Sequence, residues 1–200
     1  MKKLSPVLLF VALIVTSCSN NSSSTNQEGS DSTAQNSSLD RKDTKFLNKA
    51  ANSSMMEFEL SKMALAKSRN ERIKSFSSML MNDHTNAEEE LRTIASQKGL
   101  TLPTSLSAGS MKEVDKLQTK EGVQFDKDFI KVVLSSHRKA VRDFKEATED
   151  TEDSDVKDFA SRTLPILNMH LDSANAINKV VKTFVEPNNI TEGMKINPLK

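Results

Sequence analysis

Apolar residues recur along most of this chain with the period of an α-helix rather than that of a strand. Four long stretches carry the pattern. The first, over about 44–67, puts Phe46, Leu47, Ala50, Ala51, Ser54, Phe58, Ser61, Ala64 and Leu65 on one apolar or small face. The second, over about 71–98, aligns Ile73, Phe76, Leu80, His84, Ala87, Leu91, Ile94 and Ala95. The third, over about 123–148, aligns Phe129, Ile130, Val133, His137, Ala140, Phe144 and Ala147. The fourth, over about 155–184, aligns Val156, Phe159, Ala160, Thr163, Leu167, His170, Ala174, Ile177 and Val181. One apolar stripe per helix predicts that the four bury those stripes against one another. Ser68-Arg69-Asn70-Glu71 reads as a capping box for the second helix, Gly99 as its C-cap and Ser154 as the N-cap of the fourth. Pro165 falls inside the fourth pattern and predicts a kink there.

Connection lengths set the expected topology. The first and second helices are separated by a few residues, as are the third and fourth, so each pair should form an antiparallel hairpin. The link over 99–122 contains Pro103 and a short helical pattern at about 110–117, and is long enough to traverse the bundle. The expectation is an all-α, ferritin-like four-helix bundle with one long crossover between the second and third helices. It occupies residues 42–185, with a loose tail over 186–200.

The ends change the picture of where this bundle works. Met1-Lys2-Lys3, the apolar run from Val7 to Val15 and the small residues Thr16 and Ser17 describe a secretory leader over 1–17, too short to span a bilayer. Val15-Thr16-Ser17-Cys18 resembles the bacterial lipobox, which implies lipidation of Cys18 and a membrane anchored through that lipid as the first partner. Cys18 is the only cysteine, so no intrachain disulfide can form. The Ser/Asn-rich segment over 18–41 reads as a tether reaching roughly 25 Å from the anchor. It has no acidic run after the cysteine, which favours the periplasmic face of the outer membrane over the cell surface.

Charge excludes more than it suggests. The formal net charge falls from +1 to −1 once Lys2 and Lys3 leave with the leader, so there is no electrostatic footprint for nucleic acid. The chain has no Trp and no Tyr; nine Phe and nine Met supply the bulk of the large apolar side chains.

The candidate chemistry lies in the stripes. His84, His137 and His170 are the only histidines, and each falls near the middle of a different helix on its apolar face. Glu57 occupies the corresponding place on the first helix, whereas Glu59 points about 160° away. Four such residues should meet at one level. Two readings are open: a buried hydrogen-bond cluster that fixes helix register, or a site for at most one transition-metal ion held by Glu57, His84, His137 and His170. Glu88, one turn after His84, is a candidate to support that histidine from behind, and Asp83 is expected at a helix contact. A carboxylate-bridged di-iron centre is disfavoured, because the residues three before the histidines are Met81, Leu134 and Leu167 rather than glutamates. Thioethers near the layer, Met55, Met56 and Met81, leave copper among the candidate ions. No nucleophile–base–orienter set and no glycine-rich phosphate loop is visible, which favours a non-catalytic envelope module, stress-related in character, over an enzyme.

Several local patterns together resemble a known family. Phe46-Leu47-x-x-Ala50-Ala51, Met56-Glu57-Phe58-Glu59-Leu60, Met81-x-Asp83-His84, Lys98-Gly99-Leu100-Thr101-Leu102-Pro103, Phe125-Asp126, His137-x-x-Ala140-Val141-x-x-Phe144 and Thr163-Leu164-Pro165-x-Leu167-x-x-His170-Leu171 occur in order over about 44–182. They are similar to domain-of-unknown-function family 4142, a bacterial envelope family. The resemblance implies a ferritin-like bundle and an envelope location, and brings no established reaction.

Overall fold

The computed structural model of the chain describes residues 39–184, so the leader, Cys18, most of the tether and the tail lie outside the described residues. Within them the backbone forms five helices and no strand: α1 (Arg41–Lys67), α2 (Glu71–Gln97), α3 (Ala108–Gln118), α4 (Gly122–Asp150) and α5 (Ser154–Val181). The four long helices are those the hydrophobic period predicts, and α3 is the short element of the crossover. None of the described helices is long and apolar enough to cross a membrane.

Helix ends follow local chemistry, with two corrections to the sequence reading. Asn70, not Ser68, caps α2, its side chain accepting from the Arg72 backbone N–H while the Ser68 hydroxyl accepts from that of Asn70. Asp153, not Ser154, caps α5, because its carboxylate reaches the N–H groups of both Asp155 and Val156. Two accepted bonds and a negative charge at a helix N-terminus outcompete a serine one position later. At the other end of α2 the chain reverses through Gly99 at φ +71°. The Leu100 N–H bonds the Ala95 carbonyl at 2.8 Å and the Gly99 N–H bonds that of Ser96 at 3.1 Å, the paired bonds of a Schellman motif. Helix α5 continues through Pro165 to Val181.

Contacts at the helix ends fix the topology. Lys67, at the end of α1, donates to the Lys120 carbonyl at 3.1 Å and to Glu121 at 2.7 Å, so α4 begins where α1 ends and α2 begins. The Thr151 hydroxyl donates to Asp43, bringing the end of α4 to the start of α1. Lys98, at the end of α2, pairs with Asp153 at 2.8 Å and Asp155 at 2.6 Å at the start of α5. Helices α2 and α4 therefore run parallel, joined by the crossover, and α1 neighbours α4 while α2 neighbours α5. This is the all-α, ferritin-like arrangement.

The core divides into two apolar halves. One is built around Leu47, Leu91, Phe144, Val156 and Phe159; the other around Leu60, Leu80, Phe125, Phe129, Ile130 and Ala174. All nine stripe residues read for the fourth helix are buried. Helix α1 departs from its reading: Leu60 is fully buried, whereas Phe58 is 36% exposed. The missed leucine sits beside Glu57 and Ser61 on the true stripe, which runs slightly to one side of the one that Phe58 would define.

Candidate functional site

The gap between the two apolar halves is filled by one polar layer. Glu57, His84, His137 and His170, one from each long helix, are all buried. The three imidazoles meet at the centre, with ring centroids 5.6 Å apart for His84–His137, 5.6 Å for His84–His170 and 5.3 Å for His137–His170. One nitrogen from each can be chosen so that all three lie within 4.8 Å of one another.

Outer partners decide which nitrogens point inward. The Nδ1 of His137 lies 3.0 Å from the carbonyl oxygen of Val133, one turn earlier on α4. A carbonyl only accepts, so in the neutral ring Nδ1 carries the proton and Nε2 is a bare lone pair. The Nε2 of His170 lies 2.8 Å from Oδ2 of Asp83, across the α2–α5 contact. Donating to that carboxylate leaves Nδ1 of His170 bare. These two bare nitrogens, His137 Nε2 and His170 Nδ1, face each other at 3.3 Å. Opposed lone pairs repel unless a cation, proton or metal, is shared between them. The buried Nε2 of His84 has no hydrogen-bond partner. A self-contained hydrogen-bond cluster would not leave that nitrogen wanting.

The same separation suits a metal. Around a tetrahedral ion with imidazole bonds of about 2.05 Å, adjacent nitrogens are about 3.3 Å apart. His137 and His170 thus already span one edge of such a site. His84, whose Nε2 is held by no hydrogen bond among the described residues, would supply the third nitrogen.

Glu57 lies elsewhere than the sequence reading expects of a ligand. Its Oε1 is 3.5 Å from Nδ1 of His137, the nitrogen on the far side of that ring from the shared centre. The structure therefore brings three of the four candidate residues together and sets Glu57 behind one of them. Burial pushes the Glu57 carboxyl above its ordinary value, against the opposing influence of His137 and the Ser136 hydroxyl. Burial likewise pushes His84 well below the ordinary imidazole value, with His137 and His170 adding to the effect. His170 is lowered by burial and by His137, although Asp83 pulls it up. A neutral imidazole is the form that ligates a metal.

Glu88 makes no hydrogen bond to His84; it is ion-paired with Arg92 at 2.6 Å. The residue that does orient a histidine from behind is Asp83. Its adjacency to His84 was the available signal: one residue along a helix turns the side chain about 100°, out of the centre and toward the neighbouring helix. Beside His84 a cavity of about 680 Å³ opens between α1, α2 and the crossover, walled in part by Met55, Phe58, Glu88 and Leu106.

With this geometry in place, similarity to known proteins can be read. The sequence profile described as Domain of unknown function (DUF4142) matches residues 28–177. The chain belongs to this family. The profile extends further toward the N-terminus than the motifs quoted above. Two solved structures share the fold. One, the crystal structure of a DUF305 fragment from Deinococcus radiodurans, superposes with a TM-score of 0.63 at 13% identity, covering 73% of this chain and 99% of that one. The other, CopM in the Cu(II)-bound form, gives a TM-score of 0.60 at 18% identity, covering 69% of this chain and 96% of that one. No curated protein matches the sequence significantly. At these identities the two structures establish architecture alone.

Proposed function

We propose that this DUF4142 protein is an envelope lipoprotein, anchored through Cys18, whose bundle binds one transition-metal ion with His84, His137 and His170. The observation that carries the reading is the 3.3 Å approach of His137 Nε2 to His170 Nδ1 while the outer nitrogen of each ring faces a protein acceptor. The carboxylate of Asp83 stands behind His170 and would offset part of the charge of a divalent ion. Three imidazoles suit copper and zinc best among first-row ions, and the affinity order favours copper. The fold shared with a copper-bound CopM agrees with this choice. Three protein ligands would leave a position open for a further ligand, and a cavity lies beside His84. Metal binding or transfer in the periplasm fits these features, and they supply no reaction.

The test is metal analysis of the purified protein after exposure to Cu, Zn, Fe and Mn in turn. One equivalent per chain is expected for copper or zinc, with a raised melting temperature. His84→Ala, His137→Ala and His170→Ala should each abolish tight binding. Asp83→Asn should weaken it by about 10- to 100-fold, the usual cost of removing the group that orients a metal-bound histidine. Substoichiometric metal with no thermal shift would remove the metal reading and leave the layer as a register device. For the anchor, Cys18→Ala should release the protein from membranes; continued membrane association would contradict lipidation.

A further inference from the structure

The cavity beside His84 has features that a ligand set alone does not require. His84 is 7% exposed, its Nε2 has no partner, and its side chain forms part of the cavity wall. Three carboxylates, Glu59, Glu88 and Glu89, line the same space against a single cation, Arg92. Glu88 is one turn from His84 on the same helix face, and Arg92 one turn further. Arg92 uses Nη2 twice: it pairs with Oε1 of Glu88 at 2.6 Å and donates to the carbonyl of Pro103 at 3.1 Å. One guanidinium thus pairs with the carboxylate one turn from the histidine and holds the crossover beside the cavity. Arg92 cancels one negative charge, so the remaining excess disfavours anions and draws cations inward.

We infer that this cavity is the loading port of the histidine centre, and that Glu88 is the first protein ligand an incoming metal cation meets. The inference rests on the metal reading above and adds its route. A hydrated divalent ion is attracted by Glu59 and Glu89, exchanges water for the Glu88 carboxylate as that group leaves Arg92, and passes to Nε2 of His84. No bond other than coordination forms, and the displaced waters leave by the same opening.

The experiment is stopped-flow mixing of the metal-free protein with Cu(II), followed by visible absorbance, with equilibrium stoichiometry measured on the same samples. A second arm uses Zn(II) with a chromophoric chelator. Glu88→Gln should slow loading at least tenfold while final stoichiometry stays at one, because the three histidines are intact. Ser105→Trp, which plugs the cavity from its roof, should slow loading similarly. Glu113→Gln, a carboxylate in a different cavity that also contains Lys49 and Lys139, should load at the wild-type rate. If Glu88→Gln and Ser105→Trp both load as fast as the wild type, the route is wrong although the site stands. A wild type that takes up no metal instead overturns the site itself, and the route with it.

Discussion

Phe129 and His137 lie on the same face of α4, about two turns apart, and both are almost completely buried. Around Phe129 the bundle is built from contact alone: it stacks with Phe125 at 6.1 Å and packs among Leu60, Leu80 and Ile130. Around His137 the same four helices present polar groups, and contact is not enough. Each buried nitrogen there gains only when partnered, and costs free energy when it is not. The apolar halves are held by packing of aliphatic and aromatic side chains. In the layer between them the outer nitrogens of His137 and His170 face protein acceptors, their inner nitrogens meet at 3.3 Å, and Nε2 of His84 has no partner among the described residues. Equal burial with unequal satisfaction is what separates a core from a site, and it is why we place function in the layer.

The comparison can be broken most directly by truncation. Phe129→Ala should cost about 3–5 kcal/mol in denaturant-induced unfolding, since a fully buried ring leaves a cavity that close-packed neighbours cannot fill. A loss below about 1 kcal/mol would mean that the apolar half is loosely packed and that the contrast with the layer is false.

Acid should act on the layer and not on the halves. His84 and His170 are held below the ordinary imidazole value of 6.5, so the unfolded chain takes up protons that the fold refuses. Metal-free stability should therefore be full above about pH 6.5 and fall as the pH drops below it. Each histidine changes the unfolding equilibrium by up to about tenfold per pH unit. Glu57 has the opposite sign: raised by burial, it keeps a proton that the unfolded chain gives up, so it softens the acid loss. Replacing it by glutamine should steepen the profile. A flat stability curve between pH 6.5 and 5 would show that the histidines charge inside the fold.

A sharper cut comes from His137→Leu. If the layer is built to receive an ion, an apolar side chain of similar size should change metal-free stability by less than about 1.5 kcal/mol, because a repulsive pair of lone pairs disappears with the bonds that are lost. The metal-induced rise in melting temperature should vanish. A cost equal to that of Phe129→Ala would make the layer a structural network instead.

The smallest expected effect lies outside both regions. A Cβ at Gly99 would meet no atom within 4 Å, so Gly99→Ala pays only for φ +71°, about 1 kcal/mol. A much larger loss would tie the α2 end and its Lys98 ion pairs to the integrity of the layer.

Much of this was legible in the residues, and for a definite reason. Helical periodicity is a local property, so the four long elements, the buried stripe of α5 and the common depth of the three histidines follow from spacing. Gly99 marked the end of α2 because only a residue without Cβ takes that φ at low cost. Competition among neighbours was harder to read: Asp153 displaced Ser154 as a cap, and Asn70 displaced Ser68, because each cap depends on the local path of the backbone. The position of Phe58, out of the core, turned on a few degrees of helix rotation that packing alone sets.

By itself, then, the sequence determined an all-α bundle, its crossover and a layer in which three histidines meet, because helix period and connection length act over a few residues at a time. Which nitrogen of His170 faces inward was decided by tertiary structure, whereas that of His137 follows from the Val133 carbonyl one turn earlier on the same helix. Asp83 reaches His170 only because α2 and α5 are neighbours, and Glu57 falls behind His137 only because α1 packs against α4. No spacing along the chain encodes those adjacencies, since the partners lie 80 or more residues apart in sequence.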